Sequence, residues 1–371
     1  MRIAFLIEWD AYASSGVLTK VEAQVRTWRS QGHEAQVFVV TPRRNEALAI
    51  DLAISTPIFL PLPFTKRQFF NKIAVSHNIF RYLKQFGPDV IYYRQSLWYP
   101  GQVRNLSRVA PYVVELNSLS VEEFRMKNRY IGAFYSFTEP WLLGGASGFV
   151  AVSGEIAKHY ACDDKPIAVV ANGYPVTKCE PRSPINNERP QLIFVGTPRQ
   201  KWHGLDKVAR MAACFQNWDF HVVGPEATEI ERMDLPNIFF HGYLQQTELS
   251  LLYRHMDVGI GTLALHRNSM NEASPLKVRE YVAHGLPVFA GYHDSDLSGC
   301  DFFLNIGNTE DNVIEQQDAI AAFVEHWQGQ SINRSDVLGL VDVSVKESKR
   351  LSFMVEVVAH HGKNSKAGIF S

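Results

Sequence analysis

Short apolar runs typical of buried strands alternate along this chain with amphipathic stretches of helical period, and the pattern occurs twice. Residues 3–7 predict a buried strand, followed by a helix near 17–30 and a second strand at 35–40. The same order begins again with an apolar run at 191–196 and a helix near 205–215. Strands that alternate with helices favour parallel sheets with helical crossovers. We therefore predict an α/β chain of two doubly wound, Rossmann-like domains that face a central cleft.

The stretch between the two patterns has the composition of a linker. Residues 178–190 contain three prolines and two adjacent asparagines, which are common where few contacts cross between domains. The predicted division is a first domain at 1–175, a linker at 176–190, a second domain at 191–344, a C-terminal helix at 345–360 that could return to the first domain, and a mobile tail at 361–371.

Composition excludes several classes of protein. The net charge of −1 gives no case for nucleic acid binding, and no apolar run approaches the roughly 20 residues of a membrane span. The four cysteines lie far apart without a C-x-x-C pair, so we expect reduced thiols and no metal site. The N-terminus leads directly into the first strand without a cleavage site, so we expect a cytoplasmic protein without a signal peptide.

The stretch from 271 to 288 predicts a loop followed by a helix that can bind an anion. Ser274 suits the N-cap, Pro275 suits the first helical position, and Gly285 suits the end of the helix. The amides that follow Pro275, from Leu276 to Val278, would point outward without intrahelical partners, and such a helix start binds phosphate.

Two carboxylates flank this predicted anion site. Glu272 lies in the loop before the helix, and Glu280 lies one turn beyond its start, close to Lys277 on the same face. A sugar nucleotide has hydroxyls at both ends and a diphosphate in the middle, so this spacing would suit one. Read alone, Glu272 could equally be a solvated loop carboxylate, and Lys277 with Glu280 a surface pair.

Two features of the first half leave alternatives open. The loop Ser14-Ser15-Gly16 follows the first strand, where a backbone could approach a phosphate or simply turn. A basic helix from about Lys66 to Gln85 carries Lys72 beside Phe70, and it could rest on an anionic membrane or present a solvated face. A long helix is predicted from about Ser120 to Leu143, and its many aromatic side chains are expected to form core and not a binding surface.

The second-half motif resembles the diagnostic block of a large glycosyltransferase family. The run Glu-Ala-Ser-Pro-Leu-Lys-Val-Arg-Glu-Tyr, from Glu272 to Tyr281, precedes Gly-Leu-Pro-Val. It is similar to the block of the retaining GT-B glycosyltransferases of family 4, or group 1. Supporting matches are Val152-Ser153, Asn172-Gly173 and Phe194-Val195-Gly196. The resemblance implies a GT-B fold and retaining transfer from a nucleotide-diphosphate sugar, with no cofactor and no obligatory metal.

The resemblance also implies residue roles. Glu272 would hold the hydroxyls of the donor sugar, and Glu280 the ribose of the nucleotide. Lys277 and the amides of Leu276 and Lys277 would face the diphosphate, with Ser274 as the cap of this site. Gly16 would bring first-domain backbone against the same phosphates, and the first domain would receive the acceptor.

Three positions depart from the family pattern. Thr197 and His203 stand where the family commonly has an arginine and a lysine, and Arg199 and Lys201 in the same loop could substitute for them. Asn117 stands where the first domain usually offers a histidine, and an amide can hydrogen-bond a sugar but cannot shuttle a proton. The candidate catalytic residues are therefore Glu272, Asn117 and His203.

These observations predict a hexosyltransferase that uses a UDP- or GDP-linked sugar. The expected acceptor is a saccharide or a lipid-linked molecule in cell-surface polysaccharide or glycolipid synthesis, with peripheral contact at the inner membrane face. Two alternatives stay open: a non-catalytic GT-B subunit that binds a partner glycosyltransferase, and a sugar-nucleotide epimerase on the same fold. A nicotinamide dehydrogenase is disfavoured, because no G-x-G-x-x-G follows a predicted strand.

Overall fold

The structure is a computed structural model that describes residues 1–12, 15–60, 68–180, 186–230 and 235–367, without the side chains of 68, 69, 126, 127 and 363–367. The chain divides into two compact units. The first contains Met1–Val170 together with Lys346–Ser371, and the second contains Ala171–Val345. Both are built on parallel sheets with helical crossovers, which confirms the predicted α/β class.

The first unit contains, among its described residues, a seven-stranded parallel sheet with the order β3-β2-β1-β4-β5-β6-β7. Its strands are β1 (Arg2–Glu8), β2 (Glu34–Thr41), β3 (Ser55–Phe59), β4 (Val90–Arg94), β5 (Tyr112–Leu116), β6 (Gly148–Ala151) and β7 (Ile167–Val169). Its helices are α1 (Gly16–Ser30), α2 (Gln68–Phe86), α3 (Gln102–Val109), α4 (Ser120–Lys127), α5 (Arg129–Gly144) and α6 (Gly154–Tyr160).

The second unit contains, within the described ranges, a six-stranded parallel sheet with the order β10-β9-β8-β11-β12-β13. Its strands are β8 (Gln191–Val195), β9 (Asp219–Val223), β10 (Ile238–Gly242), β11 (Val258–Ile260), β12 (Val288–Ala290) and β13 (Phe303–Asn305). Its helices are α7 (Leu205–Cys214), α8 (Gln246–Tyr253), α9 (Leu276–Ala283), α10 (Asn312–Glu315), α11 (Gln317–Trp327) and α12 (Arg334–Val341). The last helix, α13 (Val343–Ala367), begins in the second unit and continues in the first.

Strand order reverses at one point in each sheet, between β1 and β4 in the first unit and between β8 and β11 in the second. Parallel strands covered by helices on both faces are apolar along their whole length, and in β1 the side chains from Ile3 to Ile7 are all buried. Open α/β sheets bind ligands at the carboxyl ends of the strands where the order reverses. The loops that follow these strands are therefore the places to look for a site.

Helix α13 completes the core of the first unit. Leu351, Met354 and Val357 pack in the cluster that contains Phe5 and Trp28. Burying these apolar side chains contributes roughly 1.5–3 kcal/mol each. The first unit therefore draws part of its core from the C-terminal end of the chain.

Buried charges also hold α13 to the first unit. Arg350 donates to Glu347 at 2.5 Å and to the carbonyl of Val170 at 2.9 Å, and the indole nitrogen of Trp28 donates to Glu347 at 2.9 Å. Arg350 and Glu347 are fully buried. Each charge therefore has a partner of opposite sign, as burial requires.

The division between the units lies earlier than the predicted linker. The amide of Tyr174 donates to the carbonyl of Val341, and the amide of Val176 donates to the Asp342 carboxylate at 3.1 Å. These bonds join residues more than 160 positions apart, so they have no sequence signal. Residues 171–175, which we assigned to the first domain, therefore lie with the second unit. The middle of the predicted linker, 181–185, falls outside the described residues.

Two helical predictions need correction. The last helix extends from Val343 to Ala367, so the predicted mobile tail begins inside it, and only 368–371 lie outside the described residues. The helical stretch predicted at 120–143 is two helices, because Asn128 adopts an extended conformation and caps α5 by accepting the amides of Tyr130 and Ile131. Within the described parts of the chain, no helix has the length and apolar character needed to cross a membrane.

Candidate active site

The loops after β8 and β11 meet at the carboxyl edge of the second sheet. After β8 the chain forms a 3-10 turn at Lys201–His203, and Gly204 then starts α7 with a positive φ of 81°. The carbonyls of Trp202 and His203 accept the amides of Ala264 and Leu263. A side chain at Gly204 would meet the Cβ of Leu263 at 2.8 Å, so glycine is required for this close approach.

Helix α9 begins beside these loops, one residue later than predicted. Pro275 is the N-cap and the amide of Val278 donates to its carbonyl, so Val278 is not one of the outward amides. The N–H groups of Leu276 and Lys277 have no hydrogen-bond partner among the described residues. They therefore remain available to donate hydrogen bonds to a ligand at the start of the helix.

Ser274 does not cap α9. Its hydroxyl is buried and accepts the amide of Asn172 at 2.9 Å, and its carbonyl accepts the side-chain amide of Asn172. The prediction that Ser274 is the N-cap is therefore wrong, because a segment distant in sequence occupies the hydroxyl. The predicted helix end is confirmed: Gly285 has a φ of 84°, and the amide of Leu286 donates to the carbonyl of Tyr281.

Lys277 has a buried ammonium group with no hydrogen-bond partner among the described residues. Its nitrogen lies 4.5 Å from the centroid of the Phe194 ring, an attraction that compensates only part of the lost hydration. Burial lowers the pKa of Lys277 to about 7. A cation held dry beside unpaired amides is a group that an incoming anion would stabilise.

His203 lies near Lys277 and is neutral. Burial and the nearby Lys277 ammonium hold the pKa of His203 well below its usual value. Its Nδ1 accepts the amide of Thr197 at 3.2 Å, which places the ring proton on Nε2. His203 can therefore donate one hydrogen bond, but it does not replace the charge of a lysine.

A cavity of about 650 Å³ opens between the β8 loop and α7. Thr197, Arg199, Lys201 and His203 all line it. The side chains of Arg199 and Lys201 are exposed, and neither has an ion-pair partner among the described residues. Arg199 has a positive φ of 63°, and its amide donates to Glu229 at 2.5 Å. The loop thus carries two cations, Arg199 and Lys201, that are available to an anionic ligand, although Thr197 in the same loop has no charge.

Glu280 is held by neutral donors. It accepts the hydroxyl of Tyr174 at 3.0 Å and the side-chain amide of Gln246. Burial raises the pKa of Glu280 above its usual value, while these donors act in the opposite direction. Because no cation among the described residues pairs with Glu280, its carboxylate can still accept hydrogen bonds from hydroxyl groups of a ligand.

Glu272 lies in the loop before α9 and is half-buried. Its segment pairs with the chain after β12, where the amide of Ala273 donates to the carbonyl of His293 and the amide of His293 to that of Asn271. This pairing fixes the backbone at Glu272. The structure therefore brings Glu272, Lys277 and Glu280 onto one loop and helix of the second unit, as their spacing predicts.

The two predicted site residues of the first unit lie at the start of α1 and directly after β5. Gly16 is the first residue of α1, after the N-cap Ser15, and Ser14 of the same loop is outside the described residues. The side chain of Asn117 donates to Glu115 at 2.9 Å and accepts from Lys20 at 3.0 Å. The side-chain amide of Asn117 is therefore already hydrogen-bonded to two buried charged groups, those of Glu115 and Lys20.

Sequence reasoning missed the side chains around Glu280. Tyr174 comes two residues after the Asn172 that binds Ser274, so the Asn172-Gly173 match was the available signal. Gln246 and Tyr253 lie on α8, which has no motif. Asp294 and Asp296 pair with the buried Arg279 at 2.5 and 2.9 Å, and the sequence analysis did not anticipate these pairs.

Comparison with solved structures shows the same fold. Sucrose-phosphate synthase from Thermosynechococcus elongatus matches with a TM-score of 0.74 at 15% identity, covering 97% of this chain and 99% of that one. A glycosyltransferase from Rickettsia africae matches with a TM-score of 0.65 at 14% identity, covering 96% and 98%. An alpha-glucosyltransferase in complex with UDP matches with a TM-score of 0.61 at 11% identity, covering 96% and 100%. No curated protein matches the sequence.

Two Rossmann-like units matched over nearly their whole length by these structures define the GT-B class. Family models place the sequence more closely: Glycosyltransferase Family 4 matches residues 14–178, and Glycosyl transferases group 1 matches residues 189–328. The chain belongs to the group 1 glycosyltransferases of the family 4 type, as its motif indicates.

Proposed function

We propose that this protein is a retaining glycosyltransferase that moves a hexose from a UDP- or GDP-linked sugar to a saccharide or lipid-linked acceptor in cell-surface polysaccharide or glycolipid synthesis. The observation that supports this most directly is the buried ammonium of Lys277 at the start of α9, which has no partner in the part of the chain that the structure describes. A diphosphate would restore the hydrogen bonds and counter-charge that this group lacks. The alpha-glucosyltransferase that resembles this chain was solved with UDP.

The proposed reaction breaks the bond between the anomeric carbon and the diphosphate oxygen, and the acceptor hydroxyl oxygen forms the new bond. The acceptor proton passes to the leaving phosphate on the same face of the sugar. Negative charge grows on that phosphate, where the amides of Leu276 and Lys277 and the Lys277 ammonium would stabilise it. Each well-placed donor of this kind contributes roughly 3–4 kcal/mol to the barrier reduction.

The other site residues would orient the donor. Glu272 would accept hydrogen bonds from the sugar hydroxyls, and Glu280 from the ribose hydroxyls beside Tyr174. The cavity cations Arg199 and Lys201 would attract the diphosphate, with the Nε2–H of His203 as a neutral donor.

Nucleotide binding tests the first half of the proposal. Thermal unfolding with UDP, GDP and ADP should show stabilisation by one of the first two, about 2.7 kcal/mol at 100 times the Kd. We expect Glu280→Gln to weaken that binding at least about tenfold, because a hydrogen bond to a charged group is worth roughly 1.5–3 kcal/mol. Glu325→Gln, an exposed carboxylate on α11, is the control. Equal affinity in wild type and Glu280→Gln would remove the ribose role.

Turnover tests the second half. NMR of a UDP- or GDP-sugar with the purified protein should show slow release of free sugar without an acceptor. We expect Glu272→Gln to reduce that release more than it reduces nucleotide affinity, since Glu272 faces the sugar end. No release would favour the non-catalytic subunit, and a new epimer of the donor would favour the epimerase.

A further inference from the structure

Helix α5 presents a stripe of exposed aromatic side chains. Tyr130, Phe134, Phe137 and Trp141 are 75, 39, 68 and 48% exposed, and Ile131 beside them is 42% exposed. Their spacing of three to four residues places the aromatics on one face of the helix. The prediction that the aromatics between 120 and 143 form core is wrong for these residues, because Tyr135 and Leu142 on the opposite face fill the core instead.

The exposed stripe is apolar enough to mark an interaction surface. The opposite face of α5 packs in the core, so the helix is apolar on both faces. A helix whose outer face contacts only water normally carries polar residues on that face. The rings also contact one another: Trp141 lies 4.8 Å from Trp98 and 5.0 Å from Phe137 between centroids. Contiguous exposed apolar surface of this kind marks a binding face.

The helix that carries the stripe presents no exposed carboxylate. The only carboxylate of α5, Glu139, is 7% exposed and accepts from Gln95 and Tyr160. On the preceding helix α4, Glu122 pairs with Arg125, and Glu123 accepts from Ser118.

Positive charge borders the stripe. Arg129 begins α5 and lies over the ring of Tyr130 at 5.3 Å. Helix α3 packs beside the end of α5, where a side chain added at Gly145 would clash with Val103. Arg104 and Arg108 lie four residues apart on the exposed side of α3, and among the described residues no carboxylate pairs with either, or with Arg129.

We propose that this face of α5, with Arg104, Arg108 and Arg129 at its border, docks on an anionic lipid bilayer. Tyrosine and tryptophan favour the interface between headgroups and acyl chains, where the ring is apolar and its tip stays wet. Arginines at the border meet the lipid phosphates, and each contributes to attraction by an anionic leaflet. This inference rests on the proposed function and deepens it by naming the surface on which an acceptor is met. It differs from the predicted basic helix from about Lys66 to Gln85. The structure describes that helix as α2 (Gln68–Phe86), where Lys72 pairs with Glu8, and Lys66 itself lies outside the described residues.

Vesicle flotation of the full chain tests the proposal. We expect binding to vesicles of phosphatidylethanolamine with phosphatidylglycerol, and little binding to phosphatidylcholine alone. The double variant Phe137→Ser/Trp141→Ser should lose binding about tenfold or more, because two exposed rings no longer enter the interface. Arg104→Gln/Arg108→Gln should weaken it about fivefold per arginine at low salt. Phe239→Ser/Leu251→Ser, with similar exposure in the second unit, should bind as wild type.

Two results would overturn the proposal. One is equal vesicle binding by wild type and the aromatic variant. The other is a dimer in sedimentation that dissociates in Phe137→Ser/Trp141→Ser without any vesicle binding, which would make the face a contact between copies. A second variant, Tyr130→Ser/Phe134→Ser, with circular dichroism on both, separates loss of the surface from loss of folding. Nucleotide affinity should be unchanged in all of these variants. A failure of the membrane-docking proposal can therefore be distinguished from a failure of the proposed function.

Discussion

The ammonium of Lys277 is buried without a counter-charge among the described residues, and such a group costs stability in the free protein. Replacing Lys277 with methionine keeps the apolar volume over Phe194 and removes that cost. We expect Lys277→Met to raise the free energy of unfolding by about 1–3 kcal/mol while weakening nucleotide binding. Thermal unfolding with and without UDP measures both effects. A variant that is less stable and binds equally well would contradict this role.

Binding should also depend on pH through Lys277. In the free protein its pKa is about 7, and a bound diphosphate would raise it. The ammonium therefore contributes fully to binding below about pH 7, and its contribution is lost as pH rises through the pKa of the complex, by up to about tenfold in affinity per pH unit. Calorimetry with UDP-glucose, whose diphosphate does not titrate in this range, measures it. Lys277→Met should show a flat profile, and a flat wild-type profile would contradict the assignment.

For single site residues, the sequence predicts those that lie within one motif. It does not predict the side chains that contact this motif from distant parts of the chain. Glu272, Lys277 and Glu280 belong to a single loop and helix, so their grouping follows from local spacing. The donors to Glu280 come from α8 and from Tyr174, more than 100 positions away. Ser274 failed as a predicted cap for the same reason, because Asn172 competes for its hydroxyl.

Among the elements, the turn after β9 supports the loop that carries the cavity cations. Gly224 has a φ of 97°, and a Cβ there would lie 2.0 Å from the carbonyl oxygen of Gly196. Gly224→Ala should therefore destabilise the second unit by about 3 kcal/mol or more, since strain and a backbone clash combine. Gly242→Ala is the matched control: its φ is 64° with no atom within 4 Å, so only about 1–2 kcal/mol is expected. Equal losses in urea unfolding would contradict the clash.

Element prediction succeeded where the hydrophobic period is long and failed where a short segment depends on its neighbours. The strands of both sheets near their centres are apolar runs that any buried parallel strand requires. Strand β13 has only three residues, and it gains its conformation from pairing with β12. The break between α4 and α5 depends on one capping side chain, that of Asn128. The sequence around it has aromatic residues on both faces of a helical pattern, so it does not indicate where one helix ends and the next begins.

For the whole molecule, the attachment of α13 through buried contacts is expected to contribute strongly to stability. Arg350 is fully buried and binds Glu347, Tyr92 and the carbonyl of Val170. We expect Arg350→Met to cost about 3–5 kcal/mol, because Glu347 is left as a buried charge without its cation. Arg210→Met removes an exposed pair with Asp311 and should cost less than about 1 kcal/mol. Similar melting temperatures for the two variants would contradict this.

Because α13 supplies Leu351, Met354 and Val357 to the core built around β1, the first unit is discontinuous along the chain. On a ribosome, the amino-terminal strands emerge early and then wait until the final helix has been made. The second unit is one continuous segment and can fold in the meantime. A released chain that ends at residue 345 would thus contain the whole second unit, and a first unit with an open, chaperone-accessible seam where α13 is missing.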